Sequence, residues 1–181
     1  GCHDSIEDDD DDDDSVIDTE DYCPYGDMGW ISNNTTTDYD TDGCQDSGED
    51  QDDDNDSIHD DLDDCYYGIL GWLSNSTSDY DSDGCQDSDE DADDDNDSVI
   101  DSEDDCSIGD LGWLSNSTSD YDSDGCQDSL EDTDDDNDSI IDAIDTCQNG
   151  DLGWISNNTT TDYDTDGCQD STEDLDDDND S

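Results

Sequence analysis

Apolar residues are sparse along this chain and come in short groups that recur at a fixed distance. Each group centres on a tryptophan followed by Ile or Leu, and the tryptophans at 30, 72, 113 and 154 give a period of 41 or 42 residues. No window carries a 3.6-residue apolar period, and the Asp, Asn, Ser and Gly between the groups favour turns over helix. The pattern therefore predicts a mostly irregular chain of loops and turns with at most short β-bridges. A period of this length further predicts an elongated linear array, in which each unit contacts mainly its neighbours.

The period divides the sequence into one partial and four successive repeats. The predicted boundaries are 1–22 for the partial repeat, 23–64, 65–105 and 106–146 for the complete repeats, and 147–181 for an incomplete fourth repeat. Gly1-Cys2 occupies the place of Gly43-Cys44, and the last residues stop within an unfinished acidic loop. We therefore expect the sequence to be a window onto a longer array.

Composition and charge narrow the ways in which such a chain can fold. It has 181 residues, no lysine or arginine, a formal charge of −66 and only 25% apolar residues, so it cannot bury one large hydrophobic core. Composition alone indicates disorder, unless bound cations supply the missing cohesion. The charge argues against nucleic acid and anionic membrane surfaces as partners and favours metal ions, cationic surfaces or mineral. No apolar run approaches the roughly 20 residues of a membrane helix, so we expect no membrane insertion.

A twelve-residue acidic segment recurs four times with the spacing of an EF-hand-type calcium loop. Carboxylates stand at positions 1, 3, 5, 9 and 12. A glycine at position 6 permits the sharp turn that aims the backbone carbonyl of position 7, a cysteine, at the ion. We call these segments the DG loops, after the Asp-Gly pair at positions 5 and 6, and expect the final Glu to close each site with both oxygens. The predicted Ca²⁺ ligands are Asp38, Asp40, Asp42, Cys44, Asp46 and Glu49; Asp79, Asp81, Asp83, Cys85, Asp87 and Glu90; Asp120, Asp122, Asp124, Cys126, Asp128 and Glu131; and Asp162, Asp164, Asp166, Cys168, Asp170 and Glu173.

A second acidic loop alternates with the first and departs from the same spacing at two positions. Serine replaces glycine at position 6, and aspartate replaces glutamate at position 12. We call these segments the DS loops, and together with the DG loops they give eight candidate calcium sites. Their predicted ligands are Asp10, Asp12, Asp14, Asp18 and Asp21; Asp52, Asp54, Asp56, Asp60 and Asp63; Asp93, Asp95, Asp97, Asp101 and Asp104; and Asp134, Asp136, Asp138, Asp142 and Asp145.

Nine cysteines fall every 20 or 21 residues, without a CxxC pair or a Cys/His cluster. This spacing predicts a disulfide framework in an oxidising compartment, not a zinc site. Two sequential schemes are open, which close either the tryptophan-containing halves or the acidic halves that begin with Cys2–Cys23. We prefer the first, because it closes the segment of variable length beside each DG loop. Its pairs are Cys23–Cys44, Cys65–Cys85, Cys106–Cys126 and Cys147–Cys168.

The loops and cysteines together resemble the thrombospondin type 3 repeat, whose units carry Asp-rich calcium loops and regularly spaced cysteines. The resemblance rests on DYDTDGCQDSGE at 38–49, on DDDNDSIHDDLD at 52–63 leading into Cys65, and on Cys23-Pro24, and it covers nearly the whole sequence. It implies a chain wrapped around calcium ions with little regular secondary structure and with cysteines paired in sequence. The GxxGW segment, the DS-loop serine, the absence of basic residues and the single proline depart from the family and point to a distant prokaryotic or archaeal surface-protein version.

Asn-X-Ser/Thr sequons and aromatic residues also recur with the repeat. We expect N-linked glycans beside the tryptophans, and on DS-loop asparagines whose side chains should point away from the ion. Each tryptophan is expected to pack on its own disulfide and on Ile58, Val99 or Ile140 of a neighbouring loop, with a carbohydrate-stacking face as the alternative. The tyrosines at DG-loop position 2 are expected to face outward. The sequons are Asn33, Asn34, Asn75, Asn116, Asn157 and Asn158, and within the DS loops Asn55, Asn96, Asn137 and Asn179.

These features together favour a structural function over a catalytic one. The sequence has no nucleophile–base pairing, no phosphate loop and no carboxylate pair in an apolar pocket, so we expect no enzyme. The leading hypothesis is an extracellular or cell-surface rod, stalk or filament, stabilised by Ca²⁺ and disulfides, glycosylated, and able to contact neighbouring chains of the same array. The alternatives are an acidic cation-sequestering or mineral-binding protein, and the spacer region of a larger adhesin.

Overall fold

The fold consists of turns and bends throughout the part of the chain that is described. The structure is a computed structural model that describes residues 9–177, and within this range it contains no helix, no strand and no isolated β-bridge. The predicted irregular fold is therefore confirmed. The described residues form two compact units, the first ending at Asp91 and the second beginning at Ala92.

Four disulfides connect the ends of the tryptophan-containing segments, as in the first of the two schemes. They join Cys23 to Cys44, Cys65 to Cys85, Cys106 to Cys126 and Cys147 to Cys168. The second cysteine of each pair is at most 7% exposed, and these four are the only buried apolar side chains among residues 9–177. Cys2 lies outside the described residues.

The interior of each unit is built from carboxylates instead of apolar side chains. Large apolar side chains remain at the surface, with Ile31 59% exposed and Leu73 61% exposed. The chain has no lysine or arginine that could neutralise the buried aspartates. The buried aspartates are Asp12, Asp14, Asp21, Asp38, Asp53, Asp54, Asp56, Asp63, Asp79, Asp95, Asp97, Asp104, Asp120, Asp136, Asp138 and Asp162.

The four tryptophans are half-buried, as are Ile58, Val99 and Ile140. Each indole Nε1 is buried and has no hydrogen-bond acceptor among the described residues. The predicted packing of each tryptophan on its disulfide, and the alternative of a sugar-stacking face, both stay predictions.

Candidate metal centres

The DG and DS loops share one backbone conformation despite the exchange of glycine for serine. Position 6 has a positive φ in both, +90° at Gly43 and +86° at Ser57. In both loops the N–H of position 6 donates to the carboxylate of position 1, from Gly43 to Asp38 at 3.2 Å and from Ser57 to Asp52 at 3.0 Å. The other DS-loop serines adopt the same strained conformation at Ser15, Ser98 and Ser139.

The carboxylates at positions 1, 3 and 5 converge in both loop types. In each of four loops, one oxygen from each of these side chains lies within 4.8 Å of the others. Like charges this close raise one another's pKa and, without a counterion, repel. Burial, assisted by neighbouring aspartates, raises the pKa of Asp40 to about 7 and that of Asp56 to about 6. The four groups are Asp10, Asp12 and Asp14; Asp38, Asp40 and Asp42; Asp52, Asp54 and Asp56; and Asp79, Asp81 and Asp83.

Buried oxygens without a hydrogen-bond partner recur at position 5 of the DS loops. Asp56 is fully buried; its Oδ1 accepts from the N–H of Ile58 at 2.7 Å, whereas its Oδ2 has no partner. A buried carboxylate oxygen without a partner is costly unless a cation or a proton satisfies it. An all-oxygen set of this kind suits a hard divalent cation such as Ca²⁺. The same orphaned Oδ2 occurs at Asp14, Asp97 and Asp138, and at position 12 in Asp63, Asp104 and Asp145.

The position 12 aspartate of each DS loop joins two loops that lie far apart in sequence. Burial, followed by the charges of Asp54 and Asp56 in its own loop, raises the pKa of Asp63 to about 7. The same side chain lies against Gly84, position 6 of the next DG loop, where an added Cβ would be 2.1 Å from Asp63 Oδ1. The corresponding pairs are Asp21 with Gly43, Asp104 with Gly125 and Asp145 with Gly167.

The final glutamate of each DG loop reaches back towards the preceding DS loop, whereas the position 12 aspartate of a DS loop reaches forward to the next DG loop. Glu90 Oε1 accepts from the N–H of Ile69 at 2.7 Å, and it lies beside Asp54 Oδ2 at Gly68. An added Cβ at Gly68 would be 2.8 Å from Asp54 Oδ2 and 2.9 Å from Glu90 Oε1. The ligand spacing predicted this glutamate as a ligand of its own loop only, and the contact with the preceding segment was not predicted. Equivalent contacts to Gly26, Gly109 and Gly150 are made by Glu49, Glu131 and Glu173.

Position 9 braces each loop across its own turn. Asp46 Oδ1 accepts from the N–H of Tyr39 at 2.9 Å, and Asp60 Oδ1 accepts from the N–H of Asp53 at 2.9 Å. One oxygen of each of these predicted ligands is therefore used by the backbone. The other braces are made by Asp18, Asp87, Asp101, Asp128, Asp142 and Asp170.

A serine two residues after each tryptophan links a DS loop to the DG loop that follows it. The N–H of Ser74 donates to the carbonyl of Asp56 at 2.8 Å, and its hydroxyl donates to Asp79 Oδ2. Sequence reasoning missed this role, because serines are abundant and only the packing singles these out. The equivalents are Ser32, Ser115 and Ser156.

Two of the DS-loop asparagines contact predicted ligands of the preceding DG loop. Asn55 Nδ2 donates to Asp40 Oδ2 and, at 3.4 Å, to Asp42 Oδ2. Asn137 makes the same pair of bonds to Asp122 and Asp124. The amide nitrogens that would carry glycans at Asn55 and Asn137 are therefore held against carboxylates of another loop, and glycosylation at these positions stays a prediction. Asn179 lies outside the described residues.

Two of the position 2 tyrosines also point to the next repeat. The Tyr39 hydroxyl donates to the carbonyl of Gly68 at 3.0 Å, and the Tyr121 hydroxyl donates to that of Gly150 at 2.9 Å. The outward orientation predicted for these tyrosines is therefore wrong at these two positions, whereas Tyr163 is 63% exposed. These hydrogen bonds add a contact between consecutive repeats within each unit.

The site as a whole has the features of a cation-binding repeat array. Acidic clusters that could hold a metal ion, four disulfides and the absence of helix and strand in residues 9–177 are all compatible with that class. Nothing in the described part of the chain is a helix of the length and apolarity needed to cross a membrane. No protein-family model matches the chain, and no curated protein matches it either.

Proposed function

We propose that this chain is an extracellular structural protein, a calcium-stabilised and disulfide-linked rod, stalk or filament with no catalytic activity. The observation that carries the proposal is the interior of buried aspartates in a chain without lysine or arginine. Such an interior is stable only if cations or protons neutralise it. The disulfides support an oxidising, extracellular location. The resemblance of the loops to thrombospondin type 3 repeats supports Ca²⁺ as the cation.

The contacts between loops explain how weak individual sites would stabilise a whole unit. Extracellular calcium sites bind at about 10⁻⁴–10⁻³ M, so each contributes roughly 1.4 kcal/mol at a tenfold excess of calcium. The paired loops share Asp63 and Glu90, and Ser74 connects their position 5 and position 1 residues. Ordering one loop therefore positions ligands of the next. The sites should bind cooperatively and together decide whether the chain folds.

Removal of calcium is expected to expand the chain even with all disulfides intact. The oxidised chain in excess calcium should have a smaller hydrodynamic radius and stronger near-ultraviolet circular dichroism from its tryptophans than the same chain in chelator. Sodium chloride at matched ionic strength, added to the chelated sample, controls for simple screening of charge. A chelated chain as compact and as ordered as the calcium form would rule the proposal out.

Sequon occupancy is expected to differ between the two sets of asparagines. Asn34 is exposed, whereas Asn55 and Asn137 hold their amide nitrogens against DG-loop carboxylates. We therefore expect lower occupancy at Asn55 and Asn137 than at Asn34 and Asn158, measured by glycopeptide mass spectrometry of the secreted chain. Equal occupancy in both sets would contradict the contacts described for Asn55 and Asn137.

A second candidate function is cation sequestration or mineral binding, and the exposed carboxylates outside the loops favour it. Asp27, Asp64 and Asp105 are exposed and belong to neither loop type. Eight divalent ions would offset only about 16 of the 66 formal negative charges, which leaves acidic surface available. Crystal-growth assays separate the two functions, since mineral binding that survives loss of the loop ligands would favour this one. A folded domain in flanking sequence would instead favour the spacer of a larger adhesin.

A further inference from the structure

A third acidic group lies where the DG loop 38–49 meets the DS loop that follows it. Asp46 is position 9 of the DG loop, Asp50 directly follows that loop, and Asp53 is position 2 of the DS loop. One carboxylate oxygen from each lies within 4.8 Å of the others. We call these three residues the junction cluster. Asp50 and Asp53 belong to neither set of predicted loop ligands.

Unsatisfied buried oxygens distinguish the junction cluster from an ordinary acidic surface. Asp53 is only 4% exposed, and its Oδ1 is buried without a hydrogen-bond partner. Asp50 Oδ1 accepts from the N–H of Gln51 at 2.8 Å, whereas its Oδ2 is buried without a partner. Burial, followed by the charges of Asp60, Asp46 and Asp50, raises the pKa of Asp53 to about 7. Two orphaned oxygens therefore lie in one small space, in a chain that has no lysine or arginine.

At the corresponding residues of the second unit, buried carboxylate oxygens also lack hydrogen-bond partners. Asp132 Oδ2 and Asp135 Oδ1 are buried without partners. Burial and the charges of Asp142 and Asp128, with a smaller effect of Asp132, raise the pKa of Asp135 to about 7. The Asn149 amide donates to Asp135 Oδ2 at 3.4 Å, whereas at the first junction the hydroxyl of Tyr67 donates to Asp46 Oδ2 at 3.5 Å. The acidic trio recurs while its polar neighbour changes.

We propose that the junction cluster is a further divalent-cation site, in which Asp46, Asp50 and Asp53 would hold Ca²⁺, and that Asp128, Asp132 and Asp135 form its counterpart. The inference rests on the proposed function, because it takes calcium as the cation that the loops bind. Carboxylate oxygens alone suit a hard cation of this kind. A cation here would join a DG loop to the following DS loop, just as the disulfide and Asp63 join a DS loop to the following DG loop. Ions would then stabilise the contacts between loops as well as the loops themselves.

The test is a count of bound calcium in the full oxidised chain. Asp53→Asn keeps the shape of the side chain and removes its charge, so the variant should bind one ion fewer than wild type at saturation. The double variant Asp53→Asn/Asp135→Asn should bind two fewer. Equilibrium dialysis followed by atomic emission gives the count. Asp61→Asn removes the same charge from an exposed carboxylate outside the cluster, and its count should equal that of wild type.

The outcomes separate this site from the proposed function. Near-ultraviolet circular dichroism in calcium shows whether Asp53→Asn still folds. If it does not fold, Asp50→Asn, at a half-buried position, provides the same count. A folded variant that keeps the wild-type number of ions overturns the junction site, even if chelation still expands the wild-type chain. A wild-type chain that is unchanged by chelation would instead overturn the proposed function, whatever the count.

Discussion

Gly84→Ala is expected to disrupt the two loops joined by the Cys65–Cys85 disulfide far more than Gly71→Ala does. Both glycines have a φ near +90°, so alanine at either position pays the same backbone strain, roughly 1–2 kcal/mol. The surroundings differ. A Cβ at Gly71 meets nothing within 4 Å, whereas a Cβ at Gly84 would lie 2.1 Å from Oδ1 of Asp63 and 3.1 Å from its Cβ. Asp63 would therefore have to leave the space between the loops.

Displacement of Asp63 is expected to weaken calcium binding as well as stability. Urea unfolding in saturating calcium should show a modest loss for Gly71→Ala and a clearly larger loss for Gly84→Ala. Calcium titration should show weaker binding for Gly84→Ala alone, because only that variant moves a predicted ligand. Equal losses of stability in both variants would show that backbone strain accounts for the whole effect and that the contact of Asp63 with the DG loop does not contribute to stability.

Acid is expected to stabilise the calcium-free chain and to weaken the effect of calcium. Burial raises the pKa of Asp56 to about 6 and that of Asp63 to about 7, above the value near 3.9 of an unfolded chain. Folding without metal is therefore least unfavourable below about pH 4, where these groups are protonated in both states, and stability falls as the pH rises from about 4 to about 7. Calcium requires the same carboxylates to be deprotonated, so protons and calcium compete.

The measurement is the hydrodynamic radius between pH 8 and pH 4, with and without calcium. Metal is removed beforehand on a chelating resin, because soluble chelators themselves weaken in acid. The calcium-free chain should contract as the pH falls, and the difference between the two samples should be largest at pH 8 and shrink towards pH 4. A calcium-free chain that is no more compact at pH 4 than at pH 8 would show that the buried carboxylates do not control the fold.

The sequence predicted correctly the features that follow from fixed spacings along the chain. The loop turns follow from twelve consecutive residues. The preferred disulfides followed from the constant spacing of the cysteines and the variable length beside each DG loop. The contact of Asp63 with Gly84 was not predictable, because it depends on how a DS loop packs against the DG loop that follows it. The junction cluster was missed because Asp50 and Asp53 lie off the ligand spacing.

The loop sequences alone did not explain why position 6 is glycine in the DG loops and serine in the DS loops. In the DG loops this position needs both a positive φ and an absent side chain, since Asp63 occupies the space beside Gly84. In the DS loops the partner that crosses over is Glu90, and it lies at Gly68 instead of at position 6. Ser57 therefore has to tolerate only the backbone strain. The serine at position 6 therefore reflects a difference in how the two loop types pack, and the DS loop keeps the same turn as the DG loop.

If cations between carboxylates take the place of a hydrophobic core, the exchange rates of backbone amides between the loops should depend on calcium. The N–H of Gly68 donates to Asp54 Oδ2 at 2.9 Å, and the N–H of Gly84 donates to Asp79 Oδ2 at 3.3 Å. With all disulfides intact, we predict slow exchange of both amides in calcium and exchange at the rate of an unfolded chain after chelation. Equal protection of these amides with and without calcium would show that cations do not take the place of a core.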